Sequence, residues 1–337
     1  MNGSTERGQL SPGASRFFDG ADWGWRRLWL SRAEVIEACG RLFSVPARAA
    51  TLLAEGMLNQ TWRIAGPDRD RVLRISRAER TAEQLEYERT ITTAWAAVIP
   101  EIVVAEHPDR PVVNGHILTL FPYVEGISGT AVPAPQRARS VAPVMAAMHR
   151  AALDLRLSQR PGFAATDDYP RWYGWPEIRD GIALRFGSGK DVTRPADIVQ
   201  RAIDELDDRL DRWQASGRLA LRATVHGDLN ARNQLYRDER LVGIIDTDDC
   251  RVEPLIWEVA GLAYSDSSVS PGAVWRDYLA AGGPLDAADE ELLVHFARMG
   301  ALTELVWLTD DDGAATHLAL RNLTDLAEQL TGGVSRG

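Results

Sequence analysis

The sequence predicts an α+β protein of two lobes, with short antiparallel strands in the first lobe and mostly helices in the second. Its 337 residues, 45% of them hydrophobic, are enough to bury a full core and to form two lobes. Residues 51–75 contain three short apolar runs separated by turn residues, a pattern typical of antiparallel strands. From residue 136 onward, apolar residues recur at helical spacing instead.

In the first lobe, helix and strand signals alternate. Residues 1–30 begin with many Gly, Ser and polar residues, which predicts a flexible N-terminal extension. Ser31 is the predicted N-cap of a helix over residues 32–43, and Glu34 completes a capping box. Strands are predicted over residues 52–54, 61–64 and 72–75, a helix over 82–97, and two further strands over 102–105 and 116–120.

In the second lobe, six segments have helical periodicity: residues 136–155, 196–214, 257–264, 271–281, 286–307 and 314–330. Between the first two of these helices, residues 160–195 are rich in Pro, Gly and aromatic residues. Four aromatic residues occur close together in the sequence there, namely Tyr169, Trp172, Tyr173 and Trp175. Because exposing them in a free loop is costly, they either pack as an insert or line a substrate pocket.

The composition argues against several classes of protein. A net charge of −10 and a pI near 5.2 argue against a nucleic-acid partner. No apolar run is as long as a membrane-spanning helix, and the N-terminus lacks the pattern of a signal peptide. Cys39 and Cys250 are too few for a disulfide scaffold, so we expect a reduced, cytoplasmic protein. Lys190 is the only lysine, and all other residues counted together as Lys and Arg are arginines.

One stretch, residues 224–249, carries the residues for a chemical reaction. Its order is His226-Gly227-Asp228, then Asn233 five residues later, a polar turn, and an apolar run that ends at Asp246. A loop, a hairpin and a strand can bring Asp228, Asn233 and Asp246 to one point. Phosphoryl transfer uses such a set, because one carboxylate accepts the proton of the attacking hydroxyl while an amide oxygen and a second carboxylate hold Mg²⁺.

This stretch resembles the HGD-x-x-x-x-N loop and following Ile-Asp of the aminoglycoside phosphotransferase and choline kinase family, whose members are related to protein kinases. The resemblance implies that Asp228 is the catalytic base and that Asn233 and Asp246 bind Mg²⁺. It also implies a bilobal protein-kinase-like fold, with a five-stranded antiparallel sheet and a helix in the first lobe and a mostly helical second lobe. The phosphoryl donor would be ATP or GTP. Glu258 stands where the family has Asp, in a position that braces the catalytic loop.

The resemblance extends to the first lobe, where it implies a nucleotide-binding site. Gly56 and Asn59 match the family's nucleotide loop, in which glycine lets the backbone approach the phosphates. Arg74 stands where kinase-like enzymes usually place a phosphate-binding lysine, and a guanidinium can bind phosphate through two donors at once. Its expected acidic partner is Glu88, and Glu86 is the alternative.

Residues 122–126 match the hinge between the lobes of the family. They divide the chain into a nucleotide-binding lobe over residues 31–121 and a helical lobe over residues 127–332 with the catalytic loop and the substrate cleft. The resemblance places the nucleotide base against the carbonyl of Pro122 and the amide of Val124. Proline is acceptable at this position because only its carbonyl is needed.

The acceptor site is predicted in the second lobe, with Trp172, Trp175 and Asp266 as candidate contacts. Aromatic faces hold either a cation or a flat ring, so the acceptor is expected to be a small hydroxylated molecule such as a cationic or nucleoside-like antibiotic. An antibiotic phosphotransferase that gives resistance is the first interpretation. A metabolite kinase, for choline, homoserine or a similar compound, is the second. A kinase-like protein that binds without catalysis is the third, and the intact catalytic motif disfavours it.

Overall fold

The computed structural model describes residues 28–55, 59–163, 165–168, 189–303 and 327. Four predicted features lie outside these residues: most of the N-terminal extension, Gly56 of the nucleotide loop, the aromatic cluster with Trp172 and Trp175, and nearly all of the last helix. Among the described helices, none is both long enough and apolar enough to cross a membrane.

The first lobe is a five-stranded antiparallel sheet with a helix packed on it. Helix α1 (Arg32–Phe43) begins at the predicted capping box, in which the Ser31 amide donates to the Glu34 carboxylate at 2.7 Å. The strands are β1 (Ala49–Glu55), β2 (Asn59–Ala65), β3 (Asp70–Ser76), β4 (Val112–Val113) and β5 (His116–Pro122), in the order β1-β2-β3-β5-β4. Val35 and Cys39 of α1 share a buried core with Leu73 of the sheet.

The prediction of a strand over residues 102–105 is wrong. Ile102 forms a single parallel bridge with Ile244 of the second lobe, and the Val103 amide donates to the Ile244 carbonyl at 3.1 Å. The outer strand of the sheet is β4, which turns through Asn114 and Gly115 into β5. Both turn residues have positive φ, 51° and 83°, and Asn-Gly is the dipeptide that such two-residue hairpins favour.

Helix α2 (Ala82–Ala96) joins the two lobes. Its buried residues Tyr87, Ile91 and Trp95 belong to the core of the second lobe, and Trp95 Nε1 donates to the Met148 carbonyl at 3.0 Å. β5 ends at Pro122, and the chain continues to β6 (Ile127–Ser128), which pairs with a strand of the second lobe. Helix α2 is therefore anchored in the second-lobe core, while its Glu88 contacts Arg74 of β3 in the first lobe.

The second lobe is mostly helical and contains small antiparallel sheets. Among the described residues, its α-helices are α3 (Ala134–Leu155), α4 (Lys190–Ala215), α5 (Leu255–Ala263), α6 (Pro271–Ala280) and α7 (Leu293–Thr303). Its further strands are β7 (Arg222–Val225), β8 (Gln234–Arg237), β9 (Arg240–Ile244) and β10 (Arg251–Pro254). β7 pairs with β10, and β8 pairs with β6 and β9, so short ladders fix the segment that contains the catalytic motif. The predicted α+β architecture is confirmed.

Candidate active site

The predicted catalytic loop leaves β7 through a glycine that the local geometry requires. Gly227 has a φ of 85°, and a Cβ there would lie 2.2 Å from the Asp249 carbonyl oxygen. Its amide donates to Glu258 Oε1 at 3.0 Å. The buried His226 places Nε2 3.1 Å from the Ile245 carbonyl oxygen. The loop is thereby attached both to α5 and to the chain at the end of β9.

Asp228 is held by amide groups of its own loop. Asn230 Nδ2 donates to Oδ1 at 2.5 Å, and Asn233 Nδ2 donates to Oδ2 at 2.9 Å. Burial raises the pKa of Asp228, as does the nearby Asp249 carboxylate, while His226 and the two amides oppose this shift. Neutral donors orient the carboxylate without cancelling its charge, so it keeps the ability to accept a proton.

Backbone hydrogen bonds bring Asn233 and Asp246 together. The Ile245 amide donates to the Asn233 carbonyl at 3.0 Å, immediately before Asp246. Asp246 then turns the chain with left-handed backbone angles, φ 62° and ψ 63°. This conformation costs a non-glycine residue free energy, although aspartate adopts it more readily than most side chains. The Asp246 side chain remains 44% exposed, yet the protein around it limits its solvation and, with the Asp248 carboxylate, raises its pKa.

The oxygen atoms of this cluster fit a magnesium ion. Asn233 and Asp246 offer an amide oxygen and a carboxylate oxygen, which are the hard ligands that Mg²⁺ prefers. Asn233 uses its amide nitrogen toward Asp228, which leaves its side-chain oxygen as an acceptor. Burial first, and neighbouring carboxylates second, raise the pKa values of Asp228 and Asp246, and a divalent cation would offset the negative charge collected there. In the described part of the chain, no three His, Cys, Asp or Glu side chains form a metal site by themselves, so water and phosphate oxygens would complete the coordination.

A buried chain of three side chains supports the catalytic loop from below. Glu258, which binds the Gly227 amide, also lies 3.1 Å from His149 Nε2, and His149 Nδ1 lies 2.9 Å from the Tyr278 hydroxyl. Because a carboxylate only accepts, His149 Nε2 is the donor in its contact with Glu258. Burial raises the pKa of Tyr278, so its hydroxyl stays protonated beside Nδ1. Glu258 therefore makes the bracing contact that the sequence predicted for it.

Arg74, the basic residue of β3, is paired with Glu88. Its Nη2 donates to Glu88 Oε1 at 2.9 Å and to Oε2 at 3.1 Å. Glu86, the alternative partner, lies exposed on α2 and forms an ion pair with Arg89 instead. The choice between the two glutamates, which the sequence left open, is therefore decided in favour of Glu88.

Asp248 is a residue of this site that the sequence motifs did not indicate. It is 1% exposed, and its carboxylate lies 2.7 Å from Arg74 Nη1, 2.9 Å from Arg80 Nη2 and 2.6 Å from Asn59 Nδ2. Despite the cost of burial, the two arginines hold its pKa far below the usual range of a carboxyl. The sequence does contain a signal for a further acidic residue. Arg74 stands where a lysine is usual, and a buried guanidinium needs more hydrogen-bond acceptors than a lysine ammonium does.

The end of β5 carries the backbone groups that are predicted to bind the nucleotide base. The Tyr123 amide donates to the Asp70 carbonyl at 3.2 Å, so these two residues face each other as a hydrogen-bonded pair. In the β3–β5 ladder, hydrogen-bonded pairs alternate with pairs that are not hydrogen-bonded, and the next pair is Arg71 with Pro122. Pro122 consequently occupies a non-hydrogen-bonded position, and its carbonyl points away from β3. Contact of the base with Pro122 and Val124 stays a prediction.

On the acceptor side, only Asp266 falls among the described residues. It is exposed in the turn after α5, and its carboxylate accepts from the Ser268 amide at 2.8 Å and from the Ser268 hydroxyl at 2.6 Å. These hydrogen bonds lower the pKa of Asp266. Its contact with an acceptor stays a prediction, as do those of Trp172 and Trp175, which lie outside the described residues.

Beyond these local contacts, most of the chain matches one known family. The profile of the phosphotransferase enzyme family, APH, matches residues 49–292. The chain belongs to this family. The resemblance inferred from the catalytic motif is confirmed, and the protein is a phosphotransferase. No curated protein matches the sequence.

Solved structures share the fold of this phosphotransferase. Spectinomycin phosphotransferase, APH(9)-Ia, in complex with ADP and spectinomycin, has a TM-score of 0.63 at 12% identity, covering 91% of this chain and 99% of that one. A thermostable mutant of aminoglycoside phosphotransferase APH(4)-Ia, in ternary complex with AMP-PNP and hygromycin B, has a TM-score of 0.59 at 18% identity, covering 90% and 99%. Macrolide 2′-phosphotransferase MphH from Brachybacterium faecium, an apoenzyme, has a TM-score of 0.55 at 17% identity, covering 86% and 97%. The predicted bilobal kinase-like fold is confirmed.

In the phosphotransferase, the catalytic and nucleotide halves of the predicted site meet at Asp246. Arg74 Nη1 lies 4.0 Å from Asp246 Oδ1, so the basic residue of the first lobe reaches the predicted metal ligand of the second. Asn59, a predicted nucleotide residue, joins the cluster through its contact with Asp248. The structure thus brings Asn59, Arg74 and Glu88 of the predicted nucleotide half to the segment that carries Asp246, while the roles assigned to these residues stay predictions.

Proposed function

We propose that this phosphotransferase transfers the terminal phosphoryl group of a magnesium-bound nucleotide, ATP or GTP, to a hydroxyl group of a small molecule. One observation carries the proposal: Asn233 donates to the Asp228 carboxylate, and its carbonyl accepts from the residue before Asp246. The three side chains are thereby close enough to act on one substrate. A carboxylate beside two metal-binding oxygens is the arrangement that phosphoryl transfer uses.

In the proposed mechanism, Asp228 orients the acceptor hydroxyl and takes its proton as the new oxygen–phosphorus bond forms. The bond from the terminal phosphorus to the bridging oxygen breaks at the same time, and the nucleoside diphosphate leaves. Asn233 and Asp246 would hold Mg²⁺, which supplies positive charge against the phosphate oxygens when it is bound. Arg74 adds a fixed positive charge on the nucleotide side of the site. Since these groups are oriented before the reaction begins, catalysis is mostly positioning and electrostatic stabilisation.

An antibiotic is the acceptor that we favour. The similar structures include a spectinomycin phosphotransferase with spectinomycin bound, an aminoglycoside phosphotransferase with hygromycin B bound, and a macrolide 2′-phosphotransferase. Two of these structures also contain ADP or AMP-PNP, which supports a nucleotide donor for this chain. Trp172, Trp175 and Asp266 are the residues that we propose for acceptor contact.

The test is a transfer assay with purified protein, MgATP or MgGTP, and a panel of hydroxylated compounds. The panel contains spectinomycin, hygromycin B and a macrolide, together with choline and homoserine. We expect mass spectrometry to show one added phosphoryl group on at least one antibiotic, and no addition when Asp228→Asn protein is used.

Two results would change this conclusion. Phosphorylation of choline or homoserine alone would replace the antibiotic by a metabolite as the acceptor. Nucleotide binding without transfer to any compound, and without hydrolysis, would contradict catalysis and favour a binding protein.

A further inference from the structure

Both ends of the Arg74 guanidinium group are held by carboxylates, one from each side of the site. Nη2 donates to Glu88 on α2, and Nη1 lies 2.7 Å from Asp248 Oδ1, in the segment that follows β9. Arg74 is only 6% exposed. A lysine ammonium is one point charge that a single carboxylate can hold, whereas a buried guanidinium has a second end that needs its own acceptor. Asp248 supplies the opposite charge at that end, as an ion pair.

Asp248 is itself fixed on every side. While Oδ1 faces Arg74, Oδ2 accepts from Asn59 at 2.6 Å and pairs with Arg80 at 2.9 Å. Its carbonyl oxygen accepts from Arg80 at 3.1 Å and from Arg160 at 2.7 Å. With this many donors, neither the backbone nor the carboxylate of Asp248 is free to turn, so its direction determines where Nη1 of Arg74 lies.

The same segment carries the predicted metal ligand. Only Thr247 separates Asp246 from Asp248, and the Thr247 hydroxyl donates to Glu88 Oε1 at 2.9 Å. Two consecutive residues therefore bind the two members of the Arg74–Glu88 pair. A movement of Arg74 would have to move the segment that holds Asp246 as well.

We propose that Asp248 is a positioning residue for the phosphoryl donor: it directs Arg74 toward the nucleotide phosphates at a fixed distance from Asp246. The proposal rests on the proposed function, since it concerns the binding of a magnesium-bound nucleotide. Asp248 acts through Arg74 and touches neither substrate nor reacting atoms. Arg74 and Asp248 are consequently a matched pair, in which changing one residue removes most of the contribution of the other to nucleotide binding.

A double-mutant cycle tests this pairing. The four proteins are wild type, Arg74→Lys, Asp248→Asn and the double variant, and the readouts are the Kd of MgATP and MgGTP by calorimetry and the melting temperature. We expect each single variant to raise the nucleotide Kd on the order of tenfold, because one partner of a buried charge pair is lost. In the Asp248→Asn background, Arg74→Lys should change the Kd less than about threefold, because a lysine needs only Glu88.

Asp167 provides a matched control. Like Asp248 it is 1% exposed and pairs with an arginine, since Arg222 donates to its two carboxylate oxygens at 2.7 and 2.9 Å. Asp167→Asn removes a buried charge in the same way without touching Arg74. It should lower the melting temperature while leaving the nucleotide Kd within about twofold of wild type.

Three outcomes separate this proposal from the proposed function. Additive effects of Arg74→Lys and Asp248→Asn on the Kd would overturn the positioning role and leave the function intact. The positioning role is also overturned, and the function again left intact, if Asp248→Asn behaves like Asp167→Asn, with a lower melting temperature and an unchanged Kd. Failure of the wild-type protein to bind either nucleotide would overturn the proposed function and the positioning role together.

Discussion

Two regions of the site hold their charged groups in opposite ways. In the catalytic loop, Asp228 is held by the neutral amides of Asn230 and Asn233. In the nucleotide half, Arg74 and Asp248 are at most 6% exposed and lie within an alternation of acidic and basic side chains. Side-chain contacts orient the charged group in both regions, but among the described residues ion pairs contact that group directly only in the second.

The difference follows from what each group is proposed to do. Neutral amide donors orient a carboxylate base while lowering its pKa less than a direct ion pair with a fixed cation would. A cation that binds phosphate must instead remain charged and oriented, and flanking carboxylates achieve both. Asp228 and Asp248 show the result, since the pKa of the first is raised and the pKa of the second is lowered within one site.

Replacing Asp228 is expected to have the largest effect on turnover. Asp228→Asn keeps the shape of the side chain but removes the base, so kcat should fall by about 10² to 10⁴. The nucleotide Kd should stay within a few-fold, because the charges that bind phosphate lie in the other region. Steady-state kinetics and calorimetry measure the two quantities.

A matched control for that variant is Asp238→Asn. Asp238 is exposed in the β8–β9 turn, where asparagine also tolerates the positive φ of 48°. This control should have wild-type kcat and Kd. Near wild-type turnover in Asp228→Asn would remove Asp228 as the base, and the proposed mechanism with it.

Asp246 is expected to contribute to nucleotide binding, as Arg74 and Asp248 are, although its pKa is raised like that of Asp228. Asp246→Ala should weaken the binding of the magnesium-bound nucleotide by about tenfold to a hundredfold, because a metal ligand is lost. Calorimetry with MgATP measures this, and the loss should be smaller for ATP without magnesium. Equal affinity of wild type and variant for MgATP would contradict the assignment of Asp246 as a metal ligand.

The catalytic region could be predicted from the sequence because its signals are local. The spacing of Asp228 and Asn233, and the apolar strand before Asp246, lie within one stretch that short strands fix in place. The prediction of a strand over residues 102–105 was wrong because it rested on an apolar run alone. An apolar run does not specify which strand it pairs with, and here the hairpin at Asn114-Gly115 supplies the outer strand of the sheet from another segment.

The nucleotide region could be predicted only in part because its contacts span the chain. Asn59 and Asp248 are 189 residues apart in sequence, and nothing in the stretch around either one names the other as partner. The sequence favoured Glu88 over Glu86 as the partner of Arg74 without excluding Glu86, and the burial of Glu88 on α2 decides between them. Long-range ion pairs of this kind depend on packing that a local pattern does not determine.

Glu258 tests whether the brace below the catalytic loop depends on charge. Burial raises the pKa of Glu258, but the hydrogen bond from His149, nearby positive charge and the Gly227 amide together lower it below the usual 4.5. Its folded pKa is therefore below its unfolded pKa, so its contribution to stability is present above about pH 4.5 and is lost as the pH falls through the folded value. Urea unfolding at a series of acidic pH values should show a shallower loss of stability in Glu258→Gln than in wild type. Parallel curves would mean that the brace does not depend on the carboxylate charge.

Substitution of Asn230 is expected to have the smallest effect on kcat. It tests how much a neutral donor contributes to orienting the base. Its amide donates to Asp228 Oδ1 at 2.5 Å, and its own Oδ1 accepts from the Arg232 amide at 2.8 Å. Because Asn230 is exposed, Asn230→Ala should leave the melting temperature nearly unchanged. Loss of one hydrogen bond to the carboxylate, about 0.5–1.5 kcal/mol, should lower kcat roughly threefold to tenfold with the nucleotide Kd unchanged. Asn230→Asp is the informative companion, since it places a negative charge where the donor was, and should lower kcat further. If Asn230→Ala were as active as wild type, Asn233 alone would be sufficient to orient Asp228.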